Sequence, residues 1–126
     1  METKKYPKFE RAGKPTFEEA WEKLTKDQPT WKPLLNRRGA NTIVDINDNG
    51  IKRISSNGYL SSISIDNFHV VYKELIHKGS MTEPEIMTLL EENGLKKRCS
   101  ACIVSVFDQL EYIDKIDITP IRLQLK

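Results

Sequence analysis

The stretch that decides the fold is FHVVYKELIHKGSMTEPEIMTLLEENGLKKRCSACIVSVFDQLEYIDKI, residues 68–116. Apolar residues recur in it at intervals of three and four, the period of an amphipathic helix, in three successive segments. Gly79 stands at the end of the first segment and Gly94 at the end of the second, while Thr82 stands where the N-cap of the second belongs. The pattern therefore predicts three helices, the third from about Lys97 to Glu111.

Asp66 is the predicted cap of the first helix, and two short strand-like segments, Ile113–Ile118 and Ile121–Leu125, follow the third. Each helix has one apolar side that is predicted to be buried. These sides comprise Phe68, Val71, Tyr72, Leu75 and Ile76, then Ile86, Leu89 and Leu90, then Cys99, Cys102, Ile103, Val106, Phe107 and Leu110.

The second half of the chain, from about Asn67 to Lys126, resembles the winged helix-turn-helix superfamily. The likeness rests on a first helix, a third helix ending in Gln109-Leu110-Glu111, the short apolar segment Tyr112-Ile113, the phrase Lys78-Gly79-Ser80-Met81-Thr82 and the pair Glu85-Ile86. In that superfamily the third helix commonly enters the major groove of DNA, and the strands after it form the wing. The resemblance thus implies a DNA-binding protein whose third helix contacts the bases.

The first half of the chain has a different pattern. Residues 1–15 carry five cations and two prolines, which predicts a flexible basic arm, with a phosphate-contacting tail as the alternative. Thr16 and Glu19 have the spacing of a capping box, and they open a predicted helix with an apolar face centred on Trp21. Residues 34–39 predict a short helical turn closed by glycine.

From Asn41 to Ile65 the apolar period changes to two, which is typical of strands. Asn49-Gly50 is a strong hairpin signal because both positions tolerate a positive φ. We predict an α+β fold: an N-terminal helix plus a three-stranded antiparallel meander, covered by the Trp21 helix and followed by a winged helix-turn-helix. The corresponding segments are 1–15, 16–65 and 66–126.

Composition excludes several classes of protein. The 126 residues carry 20 Lys and Arg against 18 Asp and Glu, a net charge of +2, so no global field favours a polyanionic partner. The first 60 residues have a net charge of +4 and the remainder −2, so the DNA-binding resemblance falls on the acidic half. No apolar run approaches the roughly 18 residues of a membrane span, and two cysteines are too few for a disulfide framework. We therefore expect a cytoplasmic protein.

Three basic clusters are candidate phosphate contacts. The first begins the third predicted helix, where the helix dipole also favours an anion. The exposed side of that helix is predicted to carry small serine side chains, which allow close approach to base edges. The alternative is that this nearly uncharged side packs against a second subunit or against the meander. The predicted nucleic-acid-binding residues are Lys96, Lys97, Arg98, Ser100 and Ser105, with Arg37, Arg38, Lys52 and Arg53 as auxiliary contacts.

Catalytic and metal-binding motifs are weak. Cys99 and Cys102 have CxxC spacing, but the only other soft ligands are His69 and His77, so we expect both cysteines in the core, with zinc or a redox pair as the alternative. No serine or cysteine nucleophile motif and no glycine-rich phosphate loop is present. The prediction is therefore no enzyme, no metal and no cofactor, and a nuclease built from scattered carboxylates is the minority hypothesis.

These observations together predict a small DNA-binding protein, such as a transcriptional regulator, that binds double-stranded DNA. A homodimer is expected because a single small module buries limited surface on DNA. The alternative is a non-enzymatic protein–protein interaction or assembly module that uses the winged-helix shape without touching nucleic acid.

Overall fold

The computed structural model describes residues 14–28, 34–36, 39–54, 58–116 and 120–126. The fold is α+β, as predicted, with two antiparallel sheets of order β1-β2-β3-β4 and β5-β7-β6. No helix within these described ranges combines the length and the apolar character that crossing a membrane requires. The elements are α1 Phe17–Asp27, β1 Leu34–Asn36, β2 Gly39–Asn47, β3 Gly50–Ile54, β4 Leu60–Ser64, α2 Ile65–Lys78, β5 Ser80–Thr82, α3 Glu83–Glu92, α4 Ser100–Phe107, β6 Ile113–Ile116 and β7 Arg122–Leu125.

The first helix, α1, begins where the sequence predicts and buries the predicted face. The Thr16 hydroxyl accepts from the Glu19 backbone N–H at 3.2 Å, and the Thr16 N–H donates to the Glu19 carboxylate at 2.8 Å, which completes a capping box. The predicted apolar face is buried, and the Trp21 indole N–H donates to the Asn47 carbonyl at 2.9 Å. The helix packs mainly on α2, and this hydrogen bond joins it to the end of β2. The helix that packs on β3 and β4 is α2, not the Trp21 helix that the sequence predicts.

The predicted three-stranded meander corresponds to β2, β3 and β4. Ile51 lies opposite Ile63, and both side chains are buried against the helices. The next pair along the same strands, Lys52 opposite Ser62, points to the other face and is exposed. A bulge interrupts β2 after Ile43. The sheet thus has an inner apolar face and an outer face open to solvent.

Two local predictions are wrong. Leu34–Asn36 do not form a helical turn but strand β1, which pairs with the start of β2. The reason is that β2 extends three residues beyond the end of β3, and β1 supplies the backbone partners that this extension lacks. At the other end of the sheet Ser64, not Asp66, caps α2, so Ile65 begins the helix instead of ending the strand.

The second half has the element order helix, strand, helix, helix, strand, strand. Gly79, at φ 90°, ends α2 as predicted, and all five predicted core residues of α2 are buried. Thr82 and Glu85 form the second capping box, at the start of α3. The last helix is shorter than predicted, because α4 begins only at Ser100 and ends at Phe107.

One hydrophobic core joins both halves of the chain. The Phe68 ring lies 4.9 Å from that of Trp21 and 5.8 Å from that of Phe107, measured between centroids. The Tyr72 hydroxyl donates to the Pro15 carbonyl at 2.6 Å and lies 2.8 Å from the Tyr112 hydroxyl. Through Tyr72, α2 therefore contacts both the segment before α1, at Pro15, and the segment before β6, at Tyr112. Most of the predicted basic arm, residues 1–13, lies outside the described residues.

Candidate nucleic-acid interface

The helix predicted to contact DNA, α4, is buried on all sides. Ser100 and Ser105 are 4% and 5% exposed, and Val104 between them is 2% exposed. Strand β1 lies alongside α4, and α3, β6 and β7 also contact it. The prediction that Ser100 and Ser105 face DNA is therefore wrong. The helix is instead buried within the chain, and the strand beside it is β1, which lies outside the meander named as the alternative partner.

The start of α4 is not an anion site of the predicted kind. The Ser100 hydroxyl donates to the Glu83 carboxylate at 3.0 Å, so a negative charge already lies at the first turn. Lys97 forms an ion pair with Glu91 at 3.3 Å, and Arg98 is exposed. The basic cluster therefore projects from the loop before the helix and not from the helix itself.

Lys96 of this loop and Lys52 of β3 line one cleft of about 520 Å³. The cleft lies between the β2–β3 turn, the edge strand β4 and the α3–α4 loop. None of the described residues that line it is acidic, and neither lysine forms an ion pair with another described residue. The exposed lining side chains that can donate hydrogen bonds to a ligand are Lys52, Lys96, Asn49, Ser62 and Ser64. The amides of Asn47 and Asn67, which also line the cleft, donate within the protein.

The buried Asn67 side chain attaches one wall of the cleft, the α3–α4 loop, to the start of α2. Its amide, at the start of α2, donates to the Lys96 carbonyl at 3.0 Å and lies 3.3 Å from the Cys99 sulfur. The Cys99 thiol donates to the same Lys96 carbonyl at 3.1 Å. These contacts fix the loop backbone and leave the Lys96 side chain exposed. Two predicted basic clusters that are 44 positions apart in the sequence are thereby brought to one site.

Asp45 is the carboxylate nearest to Lys52 in the sheet register. It lies opposite Lys52 on β2, but its oxygen accepts from the Asn47 side-chain amide at 2.7 Å and it does not line the cleft. The Asp45 carboxylate thus lies beside the cleft, bonded to the cleft-lining Asn47 and across the sheet from Lys52. The charged side chains of the lining itself are Lys52 and Lys96.

Arg53 does not share the site of its neighbour Lys52. Adjacent strand residues point to opposite faces, so Arg53 faces inward, half-buried, and its Nε donates to the Ser61 hydroxyl at 3.2 Å. Burial raises the pKa of the Cys99 and Cys102 thiols, and the positive charge of Arg53 offsets part of that rise. The predicted pair thus does not form a single phosphate contact. The other predicted pair, Arg37 and Arg38, lies outside the described residues.

The two cysteines belong to the core, 3% and 1% exposed. Burial raises the pKa of Cys99 and raises that of Cys102 to about 11, because a thiolate is poorly solvated there. Among the described residues no three or more His, Cys, Asp or Glu side chains cluster as metal ligands. Both cysteines are therefore packing residues of the core, and Cys99 contacts the Asn67 amide.

Both thiols are therefore expected to resist modification in the folded protein. With a disulfide exchange reagent at pH 8, we expect neither Cys99 nor Cys102 to react within minutes, because the thiolate is the reactive form and neither sulfur is accessible. In denaturant two thiols per chain should react at once. Rapid reaction of one thiol in the native protein would contradict this account of α4.

Sequence reasoning missed most of the polar lining of the cleft. Asn49 signals only a hairpin turn in the sequence, yet this turn, with Asn47, lines the cleft. No local sequence pattern marks Asn67 as a cleft residue, because its side chain bonds to a loop 29 positions away. Comparison with protein-family models, with curated proteins and with solved structures finds no match to this chain.

Proposed function

We propose that this protein binds nucleic acid through contacts between its basic cleft and the phosphate backbone, and not by inserting α4 into the major groove. The observation that carries the proposal is the meeting of Lys52 and Lys96 in a cleft whose other polar lining side chains are neutral. Phosphate oxygens accept hydrogen bonds from lysine, asparagine and serine side chains and from backbone N–H groups. Arg98, two residues after Lys96, is also exposed, whereas Lys97 between them is paired with Glu91.

Such binding is expected to be weakly sequence-specific. Phosphate contacts fix position and carry no direct base information, whereas α4, the element that would carry it in a winged helix, is buried. The element order of residues 65–126 and the strand order β5-β7-β6 support a winged-helix module in which the third helix serves packing. The homodimer, the cytoplasmic location and the absence of enzymatic activity stay predictions.

The proposal is tested by removing both cleft lysines. We expect the wild-type protein to bind a fluorescently labelled DNA duplex at 50 mM salt and to lose affinity steeply by 200 mM, as counterion release requires. The double variant Lys52→Ala, Lys96→Ala is expected to bind about tenfold more weakly at low salt. Its slope of log affinity against log salt should be smaller by about 2, because two phosphate contacts are lost. Fluorescence anisotropy measures both quantities.

The matched control is Lys23→Ala, Lys26→Ala, which removes the same charge from exposed positions of α1 that do not line the cleft. This control should retain most of the wild-type affinity and the wild-type salt slope. Both double variants are expected to keep the wild-type melting temperature. Absence of duplex binding by the wild type at low salt would exclude the proposal. If both double variants lose the same affinity, the binding depends on net charge alone and not on the cleft.

A further inference from the structure

Strand β4 lies at an open edge of the first sheet. It pairs with β3 on one side, and among the residues that the structure describes no strand pairs with it on the other. Exposed edges are usually protected by charges, proline, a bulge or an element that covers them. Strand β4 reads LSSIS and has no charge, no proline and no bulge, whereas β6, at the edge of the second sheet, carries Asp114 and Lys115. The edge of β4 is therefore open to a further strand.

The backbone hydrogen bonds identify the groups of β4 that point to this edge. The Ile65 N–H donates to the Asn49 carbonyl at 2.9 Å, and these two residues extend the β3–β4 register by one position. In an antiparallel ladder, hydrogen-bonded pairs alternate with pairs whose backbone groups point away from the partner strand. Counted from Asn49 and Ile65, the pairs that contain Leu60 and Ser62 are of the second kind. Both residues therefore direct their N–H and C=O groups to the open edge.

Exposed apolar side chains lie beside the same edge. Leu60 is 65% exposed, and Ile54, directly opposite it on β3, is 37% exposed. The α3–α4 loop lies across the cleft of about 520 Å³, which leaves room beside the strand. A strand that pairs with such an edge gains main-chain hydrogen bonds and can cover the adjacent side chains.

We propose that β4 pairs antiparallel with β4 of a second copy of this chain, about a two-fold axis at Ser61. In this register Leu60 of each copy lies opposite Ser62 of the other, and the two residues exchange N–H···O=C bonds. The two Leu60 side chains lie diagonally across the axis, about 7–8 Å apart, with Ile54 beside each of them. The four strands of each copy then form one sheet of eight. This interface goes beyond the proposed function, because it does not require nucleic acid.

Self-complementarity and charge favour a second copy as the partner. In an isologous interface a surface meets itself, so an uncharged edge and an exposed leucine each find their match. Lys52, opposite Ser62, has Asp45 as its other neighbour, so this row of the sheet has no net charge. The two Lys52 residues would be three strand spacings, about 14 Å, apart, beyond the Debye length of about 8 Å. Lys96, across the cleft, would face a strand without charge. Like-charge repulsion is therefore weak at this edge.

Ser62→Pro tests the backbone pairing. The Ser62 N–H points to the open edge and not to β3, so proline removes the donor that a partner strand needs and leaves the β3–β4 ladder intact. We expect the wild type to form a dimer at micromolar concentrations in sedimentation velocity. Ser62→Pro should weaken dimerisation about tenfold or more, because two inter-strand hydrogen bonds are lost. Ser62→Ala keeps the N–H and should dimerise like the wild type.

A second pair of variants tests the side-chain contact and does not alter the backbone. Leu60→Lys places two cations diagonally across the axis and is expected to weaken dimerisation about tenfold. Thr42→Lys is the matched control, because Thr42 is exposed in the same row of the sheet, opposite Ile54, but two strands from the edge. It should dimerise like the wild type. Circular dichroism should show the same fold in all four variants.

The outcomes are distinct from those that test nucleic-acid binding. A wild type that stays monomeric at high micromolar concentration overturns the inference and leaves the proposed function standing. A dimer that neither Ser62→Pro nor Leu60→Lys weakens must use another surface, and it also overturns the inference. Amide hydrogen exchange gives a direct measurement, because the Leu60 and Ser62 N–H groups should exchange more slowly as concentration rises. Exchange that is independent of concentration would mean that both groups remain in water.

Discussion

Replacing Ser105 by arginine is expected to destabilise the protein strongly instead of strengthening its binding to DNA. Ser105 is 5% exposed within α4, the helix alongside which β1 lies. A guanidinium there must either be buried without a partner, at a cost of several kcal/mol, or displace neighbouring elements. Against a typical total stability of about 5–15 kcal/mol, we expect a loss of about 4 kcal/mol and a melting temperature lower by more than 10 °C.

The matched control is Thr88→Arg, which adds the same side chain at an exposed position of α3. Its effect on stability should stay within about 0.5 kcal/mol, because surface substitutions of this kind are usually near neutral. Thermal and urea unfolding followed by circular dichroism compare the two variants. A Ser105→Arg protein that melts like the wild type and binds duplex DNA more tightly would show instead that this face of α4 is accessible.

The parts of the fold that the sequence predicted well depend on short-range rules. Thr16 with Glu19, and Thr82 with Glu85, act across three positions, so each capping box is visible in the residues themselves. The buried sides of α2 follow from the helical period, and Gly79 ends that helix because it adopts a positive φ. The predictions of these features are correct because neighbouring residues alone determine them.

Strand β1 illustrates what local rules miss. Three residues are too few to show a period, and Leu34–Asn36 become a strand only because the start of β2 needs backbone partners. The error extended to α4, because a small, nearly uncharged helix face suits close approach to bases and burial under a strand equally well. A sequence analysis that lacks β1 places Ser100 and Ser105 on a DNA-facing surface, whereas both are buried.

Only the local part of the candidate site could be predicted from the sequence. Strand alternation alone separates Lys52 from Arg53, so the period-two pattern already contained the information that only one of them shares a face with Ser62. The meeting of Lys52 with Lys96 had no such signal. It depends on the packing of α2 beneath the sheet and on the Asn67 amide, which holds the Lys96 carbonyl.

Gly50→Ala is expected to produce a second large loss of stability, through the backbone at the junction of the sheet and α2. Gly50 has φ +136°, and a Cβ added there would overlap the Ile63 carbonyl oxygen and lie 2.8 Å from the Ile65 nitrogen. The neighbouring Asn49 carbonyl accepts from that Ile65 N–H at 2.9 Å, so the turn is attached at this point. Because both obstructing atoms belong to the backbone, no side chain can move to relieve the overlap.

Strain at this φ and the overlap together are expected to cost about 3 kcal/mol or more, measured by urea unfolding. Gly94→Ala is the matched control, because Gly94 also has a positive φ, +69°, and lines the other wall of the cleft, but has no atom within 4 Å of an added Cβ. It should lose only about 1 kcal/mol through backbone strain. Gly50→Ala should also weaken nucleic-acid binding under conditions in which it remains folded, because Asn47 and Asn49 depend on this turn for their position. Equal losses of stability in the two variants would mean that the turn does not pack closely against the β4–α2 junction, and the cleft would then lack its fixed wall.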